Sequence, residues 1–326
     1  MDRLFEKIRG NRFVVFGRAG MDLFAQTIGV KSENAEVFQA DLGGSSANTC
    51  VGLSKLGSQA ALVTSVSNDA VGRFCINRLK HYGVSTDYIR SIDGEFRTSL
   101  AVYESRTEDF QNVLYRNGAA DFQVTEADVD QVDYTRFDVA LGAGTVFASE
   151  PSRSATLTAF ANAKAAGLPI VFDIDYRPYS WPSPEVASDV LTRAAEASDV
   201  IVGNDEEFDF MAGGAGKGLA MAEHLATAGK LAIYKMGPDG AITFWSGQRI
   251  RTGVYPTKAI KPVGAGDSFL SGLLASLAAG HDLKSAILRG SACAAITVSR
   301  PGCAPAMPTT EDLDAFLRDH PFPTQP

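Results

Sequence analysis

The stretch KPVGAGDSFLSGLLASLAAG, residues Lys261 to Gly280, places small residues and one carboxylate, Asp267, directly ahead of a long apolar run. Residues Ser268 to Ala279 are rich in leucine, alanine and serine, which predicts a buried helix that ends at Gly280. Glycine lets the backbone approach a ligand, and the unsatisfied N–H groups at a helix start favour an anion. The pattern therefore predicts an anion site at this turn, with Asp267 beside it as a candidate general base of lowered pKa.

The same four residues, GAGD, also have a simpler interpretation. Aspartate is a favoured residue at helix starts, so the motif could be a tight turn followed by a capped helix without any chemistry. An isolated motif of this kind favours that interpretation. The rest of the chain has to decide between the two.

Strand and helix patterns alternate along most of the chain. Short runs of β-branched and aromatic residues predict buried strands at Phe13 to Phe16, Ala60 to Ser65, Val139 to Leu141, Pro169 to Asp173, Val200 to Val202, Leu231 to Lys235 and Ala241 to Phe244. Alanine-rich stretches between them predict helices, one ending at Gly167 and another beginning at Pro184. The alternation predicts an α/β fold with a mainly parallel sheet, helices on both faces and ligands at the carboxyl ends of the strands.

Two polar segments, Met21 to Gly44 and Asp93 to Asp121, break this alternation. Apolar residues alternate with polar ones there, and helical periodicity is absent. We expect antiparallel strands that form a small sheet standing off the main one. The alternative is a pair of surface hairpins with no role.

Composition limits the class of protein. The chain has 326 residues, of which 45% are hydrophobic and 21% charged, so we expect a globular protein. A formal net charge of −8 argues against nucleic acid or an anionic membrane as a partner and favours a small-molecule ligand. The four cysteines and four histidines show no disulfide or metal-site spacing. With no signal-peptide core or membrane span in the sequence, we expect a cytoplasmic protein.

A glycine pair near the amino-terminal end resembles the GAGD turn in its position before a helix. Gly43 and Gly44 open the helical stretch SSANTC, and Asn48 lies one turn in, where its amide can bind hydroxyls. Glycine pairs are common, however, so this pattern alone favours a helix start that needs room.

Two strand ends carry further polar residues. In VIVGNDEEF, Asn204 and Glu207 can point to the same crevice and offer oxygen atoms to a magnesium–nucleotide complex through water. In YKMGPDGAITFW, Lys235 and Gly237 lie between two strands. The alternative for the first stretch is a solvated helix start without a ligand. The alternative for the second is a hairpin without a function.

These motifs, GGSSAN, NDEE, KMGPDG and VGAGDSF, occur in an order that resembles the ribokinase-like (PfkB) carbohydrate kinases along nearly the whole chain. The stretches GRAGMDL, QNVLYRNGAADF, DIDYRPYSW and GCAPAMPT are most similar to members that act on a keto-deoxy sugar acid of inositol breakdown. The resemblance implies a ribokinase-like three-layer sandwich with a small β-sheet lid. It implies a core of residues 1–20, 45–92 and 121–320 and a lid of residues 21–44 and 93–120. Exposed strand edges of such a lid would favour pairing of two copies into a homodimer, but the sequence does not fix the oligomeric state.

The resemblance also implies roles for matching residues. The reaction would transfer the γ-phosphate of ATP, with magnesium, to the terminal hydroxyl of the sugar acid. The residues that match the catalytic turn are Gly264, Ala265, Gly266 and the base Asp267. Those that match the nucleotide side are Asn204, Glu207, Lys235 and Gly237, with Glu207 reaching the metal through water. Those that match sugar-hydroxyl binders are Asp22, Gly43, Gly44 and Asn48.

Three arginines, Arg97, Arg116 and Arg177, lie in segments that would face the substrate. A guanidinium fork can hold a carboxylate, although each arginine could instead form a structural ion pair. Many relatives have an acidic residue shortly before GAGD, but this chain has Lys261 to Val263 at those positions. The resemblance therefore assigns no residue of this chain to the role of that acid in binding a cation. Two alternatives stay open: a kinase of 2-keto-3-deoxygluconate or a neutral sugar, and a non-catalytic sugar or nucleotide sensor.

Overall fold

A nine-stranded sheet covered by helices dominates the computed structural model, which describes residues 3–27, 29–104, 106, 109, 111–261 and 263–324. The strands are β1 (Arg12–Phe16), β2 (Gly20–Ala25), β3 (Phe38–Gly43), β4 (Gln59–Ser67), β5 (Ile89–Ile92), β6 (Leu100–Tyr103), β7 (Asn112–Tyr115), β8 (Val139–Ala143), β9 (Ile170–Asp173), β10 (Val200–Asn204), β11 (Leu231–Lys235), β12 (Ala241–Trp245) and β13 (Gln248–Thr252). The helices are α1 (Arg3–Ile8), α2 (Ser45–Lys55), α3 (Ala70–His81), α4 (Glu126–Asp130), α5 (Ser152–Ala165), α6 (Pro184–Ala197), α7 (Asp205–Met211), α8 (Gly218–Thr227), α9 (Ala265–Ala278), α10 (Leu283–Val298) and α11 (Thr310–Asp319).

The main sheet has the strand order β13-β12-β11-β10-β9-β8-β1-β4-β5. Strands from β11 to β5 pair in parallel, and β12 and β13 add an antiparallel edge. Because parallel strands end at the same side of a sheet, their carboxyl ends form one continuous edge. Asn204 and Lys235 are register partners at that edge, as are Ala143 and Asp173.

The central strands are buried on both faces, which is why they consist of continuous apolar runs. In β1, Phe13 and Val15 belong to a core cluster with residues of α2, α9 and α10. Val14 and Phe16 of the same strand belong to a cluster that includes residues of α5. Alternate side chains therefore anchor helices on opposite faces, and the predicted three-layer α/β arrangement is confirmed.

The two polar segments supply a second, four-stranded sheet with the order β3-β2-β6-β7. Strands β2 and β3 are antiparallel, as are β6 and β7, but β2 and β6 are parallel. The expectation of antiparallel strands is therefore wrong for this central pair. The reason is that β2 follows β1 and β6 follows β5, and both β1 and β5 run in the same direction in the main sheet. The chain therefore enters the smaller sheet in the same direction at β2 and at β6.

Strands β5 and β13 form the two edges of the main sheet and were not predicted from the sequence. Their sequences, IRSI and QRIRT, place arginine beside isoleucine and lack the apolar run of a buried strand. Charged edge strands are common, because charge opposes pairing with another chain.

Helix α9 also begins three residues earlier than predicted, at Ala265. Among the helices of the described residues, none is both long enough and apolar enough to cross a bilayer.

Candidate active site

A cavity of about 850 Å³ opens at the carboxyl edge of the main sheet, between the starts of α2 and α9 and strands β6 and β7 of the smaller sheet. The predicted site residues that line it are Asp22, Gly44, Asn48, Arg116, Arg177, Asn204, Glu207, Lys235, Gly237, Gly264, Ala265, Gly266 and Asp267. Gly43 and Arg97 do not line it. The fold thus brings together motifs from both ends of the chain.

Asp267 lies in the first turn of α9, which begins after Gly264. Gly264 has a φ of 86°, a left-handed conformation that glycine adopts without the strain another residue would incur. The Oδ2 atom of Asp267 accepts a hydrogen bond of 2.9 Å from Asn48 Nδ2, in the first turn of α2. Two glycine-led helix starts therefore meet at one carboxylate, and both direct backbone N–H groups to the same region.

The pKa of Asp267 is raised to about 6, and burial is the main cause. The negative charge of Asp175 raises it further, whereas the hydrogen bond from Asn48 and the charges of Arg177 and Lys235 lower it. The lowered pKa expected from a helix start is therefore wrong, because desolvation and a neighbouring acid outweigh the helix dipole here. The carboxylate remains mostly ionised at neutral pH and has a proton affinity suited to a general base.

Asn204 and Glu207 occupy the end of β10 and the first turn of α7. Asn204 Oδ1 accepts a hydrogen bond of 2.8 Å from Glu207 N, and Glu207 Oε2 accepts one of 2.8 Å from Asn204 N. This reciprocal capping box satisfies two N–H groups at the helix start and fixes both side chains. The two residues have this structural role and also line the cavity.

Lys235 directs its ammonium group to the start of α9. A Cβ placed on Gly266 would lie 3.6 Å from Lys235 Nζ, and the same nitrogen lies 5.8 Å from the ring centroid of Phe269, one turn into the helix. A fixed positive charge therefore adjoins the helix N–H groups. Such a combination is suited to phosphate oxygens.

Besides Glu206, two acids to which the sequence interpretation gave no role line the cavity, Asp173 and Asp175. Burial raises the pKa of Asp173 well above its usual range, and the charges of Asp175 and Glu207 add to the effect, although Lys235 opposes it. Asp175 has a φ of 34°, a strained value for a residue other than glycine, and its Oδ1 lies 2.7 Å from Arg177 Nη2. Their position at the end of a buried strand, with Asp173 the last residue of β9 and Asp175 two residues beyond it in DIDYR, is a signal that could have identified them.

Asp22 lies on β2 and is only 1% exposed. A Cβ on Gly43 would lie 1.9 Å from Asp22 Oδ1, so Gly43 provides the space for this carboxylate although it does not line the cavity. Burial raises the pKa of Asp22 to about 7, with Arg18 opposing the shift and Asp267 adding to it. Asp22 Oδ1 and Asn48 Oδ1 are buried and have no hydrogen-bond partner among the described residues. Both are therefore suited to accept hydrogen bonds from a bound ligand.

Two predicted arginines of the cavity already hold protein carboxylates. Arg116 is 5% exposed; its Nε donates to Asp121 Oδ2 at 3.0 Å, and its Nη2 donates to the Thr145 carbonyl at 3.0 Å. Arg177 forms the ion pair with Asp175 described above. The structural alternative considered for these residues is thus realised, although both still line the cavity.

Arg97 lies outside the cavity, so the expectation that it faces the substrate is not met in this structure. Its side chain is 68% exposed, its Nη1 donates to the Gly94 carbonyl at 2.8 Å, and it lies 4.0 Å from Asp69. A different arginine, Arg18, lies in the cavity instead: it is 8% exposed and donates from Nη1 to Ser99 Oγ at 2.9 Å.

The sequence model of the pfkB family carbohydrate kinases matches residues 11–310. The chain belongs to this family. A 5-dehydro-2-deoxygluconokinase of Photobacterium profundum is 35% identical over 310 residues, covering 93% of this chain and 94% of that protein. One of Shouchella clausii is 35% identical and covers 94% of this chain and 95% of that protein.

Solved structures agree with the family assignment. The PfkB protein from Polaromonas sp. JS666 superposes with a TM-score of 0.82 at 25% identity, covering 93% of this chain and 99% of that one. Fructokinase from Vibrio cholerae O395, solved with fructose, ADP and calcium, also has a TM-score of 0.82 at 25% identity, with coverage of 94% and 99%. The predictions of a ribokinase-like fold and an ATP-dependent carbohydrate kinase are confirmed.

Proposed function

We propose that this kinase transfers the γ-phosphate of ATP to the terminal hydroxyl of 5-dehydro-2-deoxy-D-gluconate. The observation that carries the proposal is the Asn48–Asp267 hydrogen bond, which places one carboxylate where two helix starts meet in the cavity. The names of relatives at 35% identity over most of both chains support the choice of acceptor. The arginine-rich wall of the cavity supports an acceptor with a negative charge.

In this proposal, Asp267 orients the terminal hydroxyl and accepts its proton as the hydroxyl oxygen bonds to the γ-phosphorus. The bond between that phosphorus and the β,γ-bridging oxygen breaks, and its electron pair leaves with ADP. The amides of Ala265, Gly266 and Asp267 donate to the oxygens of the transferring group, because Gly264 turns them towards the cavity. Phosphoryl transfer has a loose transition state, so positioning and charge stabilisation provide most of the catalysis.

The nucleotide phosphates would lie over Lys235, Gly237 and the start of α9. The described residues contain no group of three or more His, Cys, Asp or Glu side chains that could hold a metal ion by themselves. Magnesium usually shares its shell among phosphates, waters and one or two carboxylates. Glu207, whose pKa is raised by burial, is suited to reach the ion through water, and bound magnesium would offset phosphate charge.

We propose that residues 21–44 and 93–120, which hold the four-stranded sheet apart from Gly20 at the start of β2, are a lid on the core formed by residues 1–20, 45–92 and 121–320. Asp22 and Asn48 would then bind sugar hydroxyls through their unpartnered oxygens. Val37, Val113 and Tyr115 of the lid segments are exposed, which agrees with the predicted pairing of two copies through the lid. Light scattering on the purified protein tests that pairing, and a monomeric mass would contradict it.

The function is tested by mass detection of phosphorylated product with ATP and a panel of acceptors: 5-dehydro-2-deoxygluconate, 2-keto-3-deoxygluconate and fructose. We expect the first to have the highest kcat/KM. A higher value for 2-keto-3-deoxygluconate or fructose would replace the proposed acceptor. Binding of sugar and ATP without any phosphorylated product would instead support a sensor.

A further inference from the structure

Arg18 differs from the other arginines of the cavity in its electrostatic surroundings. Arg116 and Arg177 each form an ion pair with an aspartate, whereas Arg18 has no carboxylate within 4.0 Å among the described residues. Within the described part of the chain, the guanidinium of Arg18 makes one hydrogen bond, to the neutral hydroxyl of Ser99 at 2.9 Å. Since a guanidinium has five N–H donors, most of its hydrogen-bonding capacity is left for the cavity that it lines.

A buried guanidinium without a close counter-ion is costly, because it loses hydration without gaining a paired anion. The side chain of Arg18 is nevertheless held charged: burial would lower its pKa, but the longer-range charges of Asp22, Asp121 and Asp175 raise it. Their field stabilises the cation and leaves its hydrogen-bond donors unused. An anionic ligand group could therefore bind there without displacing a protein carboxylate.

The surroundings of Arg18 hold it in place. A Cβ on Gly20 would lie 2.8 Å from Arg18 Nη1 and 2.7 Å from Ser99 Oγ, so any larger residue would displace this pair. Arg18 follows β1 at the carboxyl edge of the sheet and precedes β2, so it lies at the junction of the two sheets. The hydrogen bond to Ser99 and the close approach to Gly20 of β2 thus position the guanidinium before any ligand binds, which reduces the entropy lost on binding.

We propose that Arg18 binds the carboxylate of the sugar acid and is the residue that selects acids over neutral sugars. The inference rests on the proposed function and specifies its acceptor as a carboxylate-bearing chain. A carboxylate can accept two parallel N–H bonds from one guanidinium, which fixes its orientation as well as its charge. Arg116 is less suited, because its Nε and Nη2 already donate to Asp121 and Thr145.

The kinetic test compares Arg18→Gln with Arg97→Gln, a matched change at the exposed arginine outside the cavity. Each is assayed with the sugar acid and with the corresponding alcohol, in which the carboxylate is replaced by CH₂OH. For Arg18→Gln we expect kcat/KM to fall about 100-fold on the acid and less than about 3-fold on the alcohol, in the range for a lost charged hydrogen bond. Arg97→Gln should change neither by more than about 2-fold. Equal losses on acid and alcohol for Arg18→Gln would overturn the proposal.

A binding test separates failure of this inference from failure of the proposed function. Without ATP, 2-deoxy-D-gluconate should raise the Tm of the wild-type protein more than 2-deoxy-D-glucitol does, and Arg18→Gln should remove the difference. If that pattern holds while no sugar acid is phosphorylated, Arg18 binds a carboxylate and the proposed function is wrong. If sugar acids are phosphorylated but the difference persists in Arg18→Gln, the inference is wrong.

Two further measurements remain decisive if Arg18→Gln does not fold. Arg18→Lys keeps the charge but loses the planar fork, so we expect kcat/KM on the acid to fall about 10-fold with the alcohol unaffected. In a crystal structure of the wild-type protein with 2-deoxy-D-gluconate, the carboxylate should lie within hydrogen-bond distance of Arg18. A carboxylate bound to Arg116 or Arg177 instead would overturn the proposal.

Discussion

Replacement of Asp267 by asparagine should abolish most activity and at the same time stabilise the folded protein. Asparagine keeps the size of the side chain and can still accept the hydrogen bond from Asn48, but it cannot accept a proton. Loss of a positioned general base lowers kcat on the order of 10² to 10⁴, with little change in KM. The neutral side chain also removes the cost of a buried carboxylate.

The stability gain follows from the pKa. Burial raises the pKa of Asp267 from 3.8 to about 6, so the ionised group costs at most about 3 kcal/mol at pH 8, at roughly 1.4 kcal/mol per unit. The side chain adjoins an open cavity, and water there reduces the cost to about 1–2 kcal/mol. With an unfolding entropy of about 2.1 cal/mol/K per residue over 326 residues, this corresponds to a rise of about 1.5–3 °C in Tm.

The pH dependence has a defined sign. The folded state holds the Asp267 proton more tightly than the unfolded state does, so this group favours folding below about pH 4 and loses that contribution as the pH rises to about 6. The Tm advantage of Asp267→Asn should therefore be full at pH 8 and absent near pH 4, as measured by calorimetry without ligands.

A suitable control is Asp282→Ala, at the exposed start of α10. Asp282 accepts a hydrogen bond from Ser285 N at 3.0 Å, and the hydrogen bonds from Ser285 hold its pKa low. Loss of this cap should destabilise the protein by about 1 kcal/mol and leave kcat unchanged. The reasoning about Asp267 would be refuted if Asp267→Asn kept kcat within about 3-fold of the wild type, or if it lowered Tm at pH 8.

Three further predictions follow from the same site. The kcat/KM of the wild-type enzyme should fall on acidification with an apparent pKa near 6, as Asp267 is protonated; a profile that stays flat down to pH 5 would contradict this. Gly264 and Gly280 have φ of 86° and 89° at opposite ends of α9, so replacing either by alanine should lower the free energy of unfolding by about 1–2 kcal/mol. Only Gly264→Ala should also lower kcat, by about 10-fold or more. Equal effects of the two changes on kcat would refute the role of the turn. Arg116→Ala should lower the free energy of unfolding by about 3–5 kcal/mol in denaturant titrations, because the buried carboxylate of Asp121 loses its partner. Arg97→Ala should change the free energy of unfolding by less than about 0.5 kcal/mol. Similar values for the two variants would contradict the assigned ion pair.

Several features of the site were accessible from the sequence because they depend on neighbouring residues. Small residues followed by an acid and an apolar run indicate a helix that begins close to Asp267, although the helix starts at Ala265, three residues before the predicted Ser268. The strand ends that carry Asn204 and Lys235 follow from short apolar runs with polar residues directly after them. The four motifs in order then identify the family, and with it the α/β fold.

Other features could not be read from local patterns. Sequence reasoning proposed Arg97 as a substrate residue and gave Arg18 no role, because the polar segment around Arg97 does not reveal on which side of the smaller sheet it lies. It expected a lowered pKa for Asp267, since the acids that surround this carboxylate come from distant parts of the chain. It also missed the polar strands at the two edges of the main sheet.

The sequence by itself determined the alternation of buried strands and helices, the glycine turns and the residues available for chemistry, since these depend on propensity and on contacts within a few residues. Only the tertiary structure decided which charges are paired and which are not. Asn48 and Asp267 are 219 positions apart, yet they share a hydrogen bond. Ion pairing and desolvation depend on distances and burial that exist only after such segments pack together, and these distances distinguish Arg18 from Arg116 and Arg177.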